Sequence, residues 1–182
     1  MANKDLLLVI DMQNVYLPGE EWGCPRFPQA VNNITALLNA GVPAVFTRFV
    51  PPSDPVGAWQ DYNREYAHIN ESAYLNDMTA ELKPYLSRYP VVDKSTYGSW
   101  TPEIARLAEG YDRILLSGVV AECCVLATLM AAMDAGKKVV YLTDCVAGQT
   151  QELERAVQSV VEVYVPMHSQ VMDSQAYLSS RN

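Results

Sequence analysis

Three residues of this chain combine types and positions suited to covalent chemistry at a carbonyl carbon: Asp11, Lys94 and Cys124. Each stands just beyond an apolar run. Asp11 follows Leu6–Ile10, Lys94 follows Val91-Val92-Asp93, and Cys124 follows a run that ends near Gly118. Their chemistries complement one another. A cysteine at a helix N-terminus feels the positive end of the helix dipole, which favours the thiolate. A neighbouring carboxylate can take the thiol proton. A lysine beside that carboxylate keeps it ionised and also favours the thiolate. Each residue alone has an ordinary reading: a turn-forming Asp, a solvated Lys, a small core Cys. Together, at three strand ends, they make a nucleophile, a base and an orienting cation.

The elements that must carry them can be read from the apolar pattern. Leu6–Ile10 is continuous rather than alternating, as in strands buried on both faces of a parallel sheet. Ala44–Phe49, Arg113–Ser117, Val139–Thr143 and Val161–Val165 look similar, and Pro90–Val92 is a shorter candidate. Helical patterns fall between them. Val31, Ile34, Leu37 and Leu38 form one face, which Gly41 stops. Thr101-Pro102 is an N-cap followed by proline at the first helical position, with Gly110 beyond. Ala121–Ala135 is apolar nearly all round, so that helix is expected to be buried. Thr150 caps a last helix carrying Leu153, Ala156, Val157 and Val160. Alternating strands and helices imply an α/β fold: one domain over residues 1–182, a parallel sheet of about six strands, and helices on both faces. In such sheets ligands bind beyond the carboxyl ends of the strands, where Asp11, Lys94 and Cys124 stand.

The chain has 182 residues and a net charge of −8, with 49% apolar and 19% charged residues. This suits one well-filled core. It argues against nucleic-acid or anionic-membrane partners, which need clustered Lys and Arg. Four cysteines (Cys24, Cys123, Cys124, Cys145) include no Cys-x-x-Cys pair, and the two histidines, His68 and His168, are far apart. No common zinc spacing results, and no metal is expected. The N-terminal apolar stretch is too short and wrongly flanked for a signal peptide, and no segment approaches ~20 apolar residues. The expected compartment is the reducing cytoplasm, with free thiols. Competing α/β motifs are missing: there is no Gly-x-Gly-x-x-Gly after the first strand, no P-loop and no Gly-x-Ser-x-Gly elbow.

Four segments resemble the isochorismatase-like cysteine hydrolases, which include nicotinamidases and N-carbamoylsarcosine amidases. Leu7-Leu-Val-Ile-Asp11-Met-Gln13-Asn-Val-Tyr16 is similar to the family's opening motif. Lys94-Ser-Thr-Tyr-Gly-Ser99-Trp100 resembles its lysine motif. Ser117-Gly118-Val-Val120-Ala-Glu-Cys-Cys124-Val125 resembles its nucleophile motif, whose spacing selects Cys124 over Cys123. Val140-Tyr-Leu-Thr-Asp144 matches its next strand, where Asp144 reads as structural. The likeness spans about residues 6–165.

The resemblance implies a catalytic triad of Asp11, Lys94 and Cys124, and a cis peptide between Val119 and Val120. It also implies an oxyanion hole from the N–H groups of Val120 and Cys124, and a homo-oligomer, dimer or tetramer. The implied activity is hydrolysis of a C–N bond in a small amide or ureido substrate through a thioester, with no cofactor. Departures are visible. Val15 stands where a second acid is common. Thr47–Asp54 lacks the histidine of the nicotinamidase metal site, and the cysteine argues against vinyl-ether cleavage. Candidate substrate contacts are Gln13, Tyr16, Arg48, Tyr97 and Trp100; Arg48 would meet a substrate carboxylate or pair with Asp54 or Asp61. Residues 50–76, with Trp59, Tyr62, Tyr66 and Tyr74, read as a lid, an oligomer contact or packing over the core edge. Two other classes remain open: a binding or assembly protein with an idle triad, and a thiol redox sensor using Cys123, Cys124 or Cys145.

Overall fold

The computed structural model describes residues 4–181. Six strands, β1 (Asp5–Ile10), β2 (Ala44–Phe49), β3 (Val91–Lys94), β4 (Arg113–Val119), β5 (Lys138–Ala147) and β6 (Ser169–Met172), form one sheet in the order β3-β2-β1-β4-β5-β6. Every neighbouring pair is parallel. The chain builds outward from β1 in one direction as far as β3, then crosses to β4 and builds in the other. The carboxyl ends of β1 and β4 therefore flank the point where the winding reverses, the usual ligand crevice of such sheets.

The helices are α1 (Phe27–Asn39), α2 (Ala58–Glu65), α3 (Ala67–Asn70), α4 (Ala73–Asn76), α5 (Pro102–Leu107), α6 (Leu126–Asp134), α7 (Gln151–Glu162) and α8 (Ser174–Ser180). The continuous apolar run of β1 is explained by its two buried faces. Leu7 and Val9 pack with Phe27, Ile34 and Leu37 of α1 and Tyr177 of α8. Leu6, Leu8 and Ile10 pack with Ile104 of α5, Leu129 of α6 and Val157 of α7. Each such side chain contributes about 1.5–3 kcal/mol on burial, so the period-2 split of β1 sets the sheet's place between the layers. Thr101 and Thr150 cap their helices as the sequence implies, accepting from the N–H groups of Ile104 and Leu153.

One expected strand is absent. Val161 and its neighbours end helix α7, where Val157 and Val161 face the core one turn apart. Val163, Val165 and Met167 lie exposed. The last strand is instead the Ser169–Met172 segment at the sheet edge. A short apolar run does not distinguish the end of a helix from a strand, and an edge strand need not be apolar. β5 also runs further than its apolar core, to Ala147, with a register shift opposite Leu116 and Gly118.

Gly118 is required by close approach. Its φ is +105°, and a Cβ there would lie 2.1 Å from the carbonyl oxygen of Ile10 on the neighbouring strand. Both backbones come together at the switch point, just before the two residues of interest. Gly118→Ala is expected to destabilise the fold by roughly 3 kcal/mol or more, read as a lowered denaturation midpoint in urea; a midpoint within the error of the parent's would contradict this packing.

Candidate active site

β1 ends in a sharp turn. Asp11 has φ +50°, a left-handed conformation that Asp tolerates better than most residues, and the Gln13 N–H donates to the Asp11 carbonyl at 2.7 Å. Asp11 is completely buried there. Lys94, the last residue of β3, lies two strands away and reaches across β2, so that its Nζ sits 2.6 Å from Asp11 Oδ2. The same nitrogen donates to the carbonyls of Thr96 at 2.9 Å and Tyr97 at 3.0 Å, and to Cys124 Sγ at 3.2 Å. An ammonium has three protons. The contact with Asp11 is thus chiefly charge on charge, and Asp11 Oδ2 is buried without an aligned donor. A carboxylate oxygen with a free lone pair, next to a thiol held by the same ammonium, is placed to accept a proton.

Cys124 lies in a π-helical turn, Ala121–Val125, that leads into α6. The Val119–Val120 peptide before it is cis. The N–H groups of Cys123 and Val125 both donate to the Val120 carbonyl, at 3.1 and 3.2 Å. Among the described residues, neither the Val120 nor the Cys124 N–H donates to a turn or loop carbonyl. Hydroxyls join the segments. Thr47 Oγ1 donates to Asp11 Oδ1 at 2.8 Å and lies 3.3 Å from Ser99 Oγ. The Ser99 N–H donates to Thr128 Oγ1 at 2.8 Å, and that hydroxyl donates to the Cys124 carbonyl at 2.6 Å. The carboxylate and the cysteine are therefore linked through the Thr47 and Thr128 hydroxyls, with Ser99 between them, as well as by Lys94.

The electrostatics revise one expectation. Helix dipole and lysine were to favour the thiolate, but burial dominates and, with the Asp11 charge, pushes the Cys124 thiol up to about 12 against the pull of Lys94. At neutral pH this cysteine rests as a thiol. For Lys94, burial works against the ammonium, but Asp11 and Cys124 outweigh it and hold its pKa above the ordinary lysine value.

Cys124 opens into a cavity of about 210 Å³. Tyr16, Trp22, Tyr62, Tyr66 and Tyr97 form its aromatic wall, and Val120, Cys123 and Gln149 complete it. Of the five expected contacts, Tyr16 and Tyr97 border this cavity and three do not. Gln13 is buried and spent on the backbone: its Nε2 donates to Phe49 and Asn76 carbonyls and its Oε1 accepts from the Phe49 N–H. Arg48 points to the opposite side of β2 from Thr47 and makes a two-pronged pair with Asp93, its neighbour in register on β3, rather than with Asp54 or Asp61. Trp100 packs with the core that contains α5 and α6. Asp144 accepts from Asn33 and from the N–H and hydroxyl of Ser174, pinning α1 and α8 to β5.

Sequence reasoning missed Trp22, Thr47, Ser99, Thr128 and Gln149. Thr128 alone carried a signal, four residues after Cys124 on one helix face. Residues 50–76 supply Tyr62 and Tyr66 to the cavity, while Trp59 packs behind them against Tyr62 and Tyr97. A larger hollow of about 380 Å³, between Arg26, Tyr141, Glu154 and Gln158, contains none of the three residues first singled out. Among the described residues no three His, Cys, Asp or Glu side chains converge as a ligand set, so the donors present do not fit the metal of nicotinamidases. Among the described residues no helix is long and apolar enough to cross a membrane.

The fold recurs in solved structures. An isochorismatase family protein from Desulfovibrio vulgaris superposes with a TM-score of 0.84 at 21% identity, covering 98% of each chain. A cysteine hydrolase from Pseudomonas syringae gives 0.81 at 19%, covering 97% of this chain and 91% of its own. A nicotinamidase from Bacillus subtilis gives 0.73 at 19%, covering 93% and 99%. These likenesses define an isochorismatase-like α/β fold. No curated protein matches the chain. Residues 5–176 match the isochorismatase domain, and the chain belongs to that hydrolase family.

Two measurements test the site itself. Alkylation of Cys124 by iodoacetamide, followed by mass spectrometry, is expected to be slow at pH 7 and to keep rising well above the ~8.5 of a free thiol; a plateau near pH 7 would mean a preformed thiolate. Thr47→Val, which removes the donor to buried Asp11 Oδ1, is expected to cost about 1–3 kcal/mol in a urea titration, with Thr47→Ser close to the parent. Equal stability of the two variants would count against the hydroxyl link.

Proposed function

We propose that this hydrolase cleaves a C–N bond in a small amide or ureido compound, with Cys124 as nucleophile, Asp11 as acid and base, and Lys94 as the cation that aligns them. The observation that carries this reading is that one buried ammonium nitrogen contacts both Asp11 Oδ2, at 2.6 Å, and the Sγ of Cys124, at 3.2 Å, and Cys124 borders the cavity. The raised thiol pKa makes a general base necessary. As substrate enters, Asp11 takes the Cys124 proton and the sulfur attacks the carbonyl carbon. The N–H groups of Val120 and Cys124 receive the tetrahedral oxyanion; one such donor is worth about 10²–10³ in rate in comparable sites. Asp11 returns the proton to the departing nitrogen, and ammonia or an amine leaves a thioester. Asp11 then deprotonates water, which releases the acid and restores the thiol. Lys94 stays charged throughout and keeps Asp11 and Cys124 in contact while the proton moves between them. The four cysteines, all free thiols, support a reducing, cytosolic setting.

Ammonia release from a panel of small amides and ureas tests the reaction. Cys124→Ala is expected to abolish turnover and Asp11→Asn to lower kcat by about 10²–10⁴-fold. Cys123→Ala, whose thiol borders the cavity without touching Lys94, is expected to stay within a few-fold. Full activity in Cys124→Ala would sink the assignment.

A further inference from the structure

Among the described residues the cavity wall contains no charged side chain. An incoming carboxylate meets no free cation, because the Lys94 protons are taken by Thr96, Tyr97 and Cys124 and its charge is matched by Asp11. What the wall does offer is a cluster of aromatic rings, whose faces are electron-rich. The centroids of Trp22, Tyr62 and Tyr66 lie 6.0, 5.1 and 4.8 Å apart pairwise. One cation seated against them can therefore fall within the ~6 Å reach of all three rings. Tyr97 stands at 89° to Tyr62, with centroids 6.4 Å apart, so the rings meet such a guest from more than one direction. The phenols of Tyr62 and Tyr97 are held above their ordinary values by burial, which keeps them neutral and leaves the ring quadrupoles as the attraction. The chain's net charge of −8 adds a long-range pull of the same sign.

We propose that the site takes substrates in which the scissile amide or ureido carbonyl sits beside an alkylammonium group, with Trp22, Tyr62 and Tyr66 binding the cation and carboxylate-bearing analogues turned away. This rests on the hydrolytic reading above for the reaction, but the cation subsite stands on the cavity alone. The attacking sulfur and the ring cluster border one cavity of about 210 Å³, so the cationic head and the carbonyl of a small molecule are held together. Tyr62 and Tyr66 belong to the irregular stretch between β2 and β3, which makes that stretch the carrier of specificity.

Protection of Cys124 from iodoacetamide reads the subsite without needing turnover. The wild-type protein is labelled at fixed pH and ionic strength with tetramethylammonium, its neutral isostere tert-butanol, or the anionic isostere pivalate. Tetramethylammonium is expected to protect at a concentration about tenfold lower than tert-butanol, and pivalate not at all. Tyr62→Leu is expected to bring tetramethylammonium down to the level of tert-butanol. Protection by pivalate or tert-butanol at the same concentration as tetramethylammonium, in the wild-type protein alone, overturns the proposal. Ammonia release from small amides and ureas that carry an alkylammonium group, beside their neutral counterparts, separates the two claims. Cation protection without hydrolysis would refute the reaction and leave the subsite standing; hydrolysis without cation preference would do the reverse.

Discussion

A buried ion pair, Asp11 with Lys94, is the constraint to which the rest of this structure answers. Both side chains are almost wholly out of water, at 0% and 1% exposure. Two isolated charges in such a place would be very unfavourable, and a pair survives only where its remaining donors and acceptors are met. Here they are met by other segments. The Thr96 and Tyr97 carbonyls curl back over the ammonium, and the Thr47 hydroxyl closes on the carboxylate. The pair spans β1 to β3 over the top of β2, so the strand whose hydroxyl serves Asp11 is the one the pair bridges. Removing either charge would leave the other buried and unmatched, which explains why a lysine is kept in the interior at all.

Cys124 is tied to that pair twice, by Lys94 on its sulfur and, on its carbonyl, by the Thr128 hydroxyl, which accepts from the Ser99 backbone N–H. The approach of β1 and β4 at Gly118 brings the two strand ends close enough for both ties. Behind the turn that carries Cys124, two carboxylates hold consecutive backbone N–H groups: Glu154 accepts from Gly148 and Glu122 from Gln149. Gln149 is thereby fixed at the cavity rim. The opposite rim depends on Gln13, whose amide joins the end of β1 to Phe49 and Asn76 and so anchors the segment that brings in Tyr62 and Tyr66.

The protonated resting thiol fits this architecture. A site dry enough to match Asp11 with Lys94 is also dry enough to disfavour a thiolate. The same dryness strengthens every fixed dipole that faces a developing oxyanion. Under the proposed mechanism, ionisation of Cys124 is coupled to the presence of substrate rather than standing ready in its absence. The ring cluster of Trp22, Tyr62 and Tyr66 forms a separate part of the same cavity wall, and what a protein takes is set by such sites rather than by the fold that carries them.

Sequence alone determined the layered α/β architecture, because a run such as Leu6–Ile10 can satisfy two buried faces only as an interior strand. It also determined the Thr101 and Thr150 caps, and the three residues at strand ends that complement one another chemically. These are local properties of period, composition and spacing. It misplaced the last strand, because Val157 and Val161 obey a helical period that a short valine-rich run conceals. It could not tell that Arg48 is consumed by Asp93, that Gln13 is consumed by backbone, or that Trp100 is core, since those outcomes depend on which side of a strand or turn each residue faces. Nor could it find Trp22 and Gln149, which reach the cavity from segments far apart in the chain. The direction of the Cys124 shift was likewise decided only by the tertiary structure: residue types supplied a dipole and a lysine that favour the thiolate, but burial, which no local pattern measures, outweighed both.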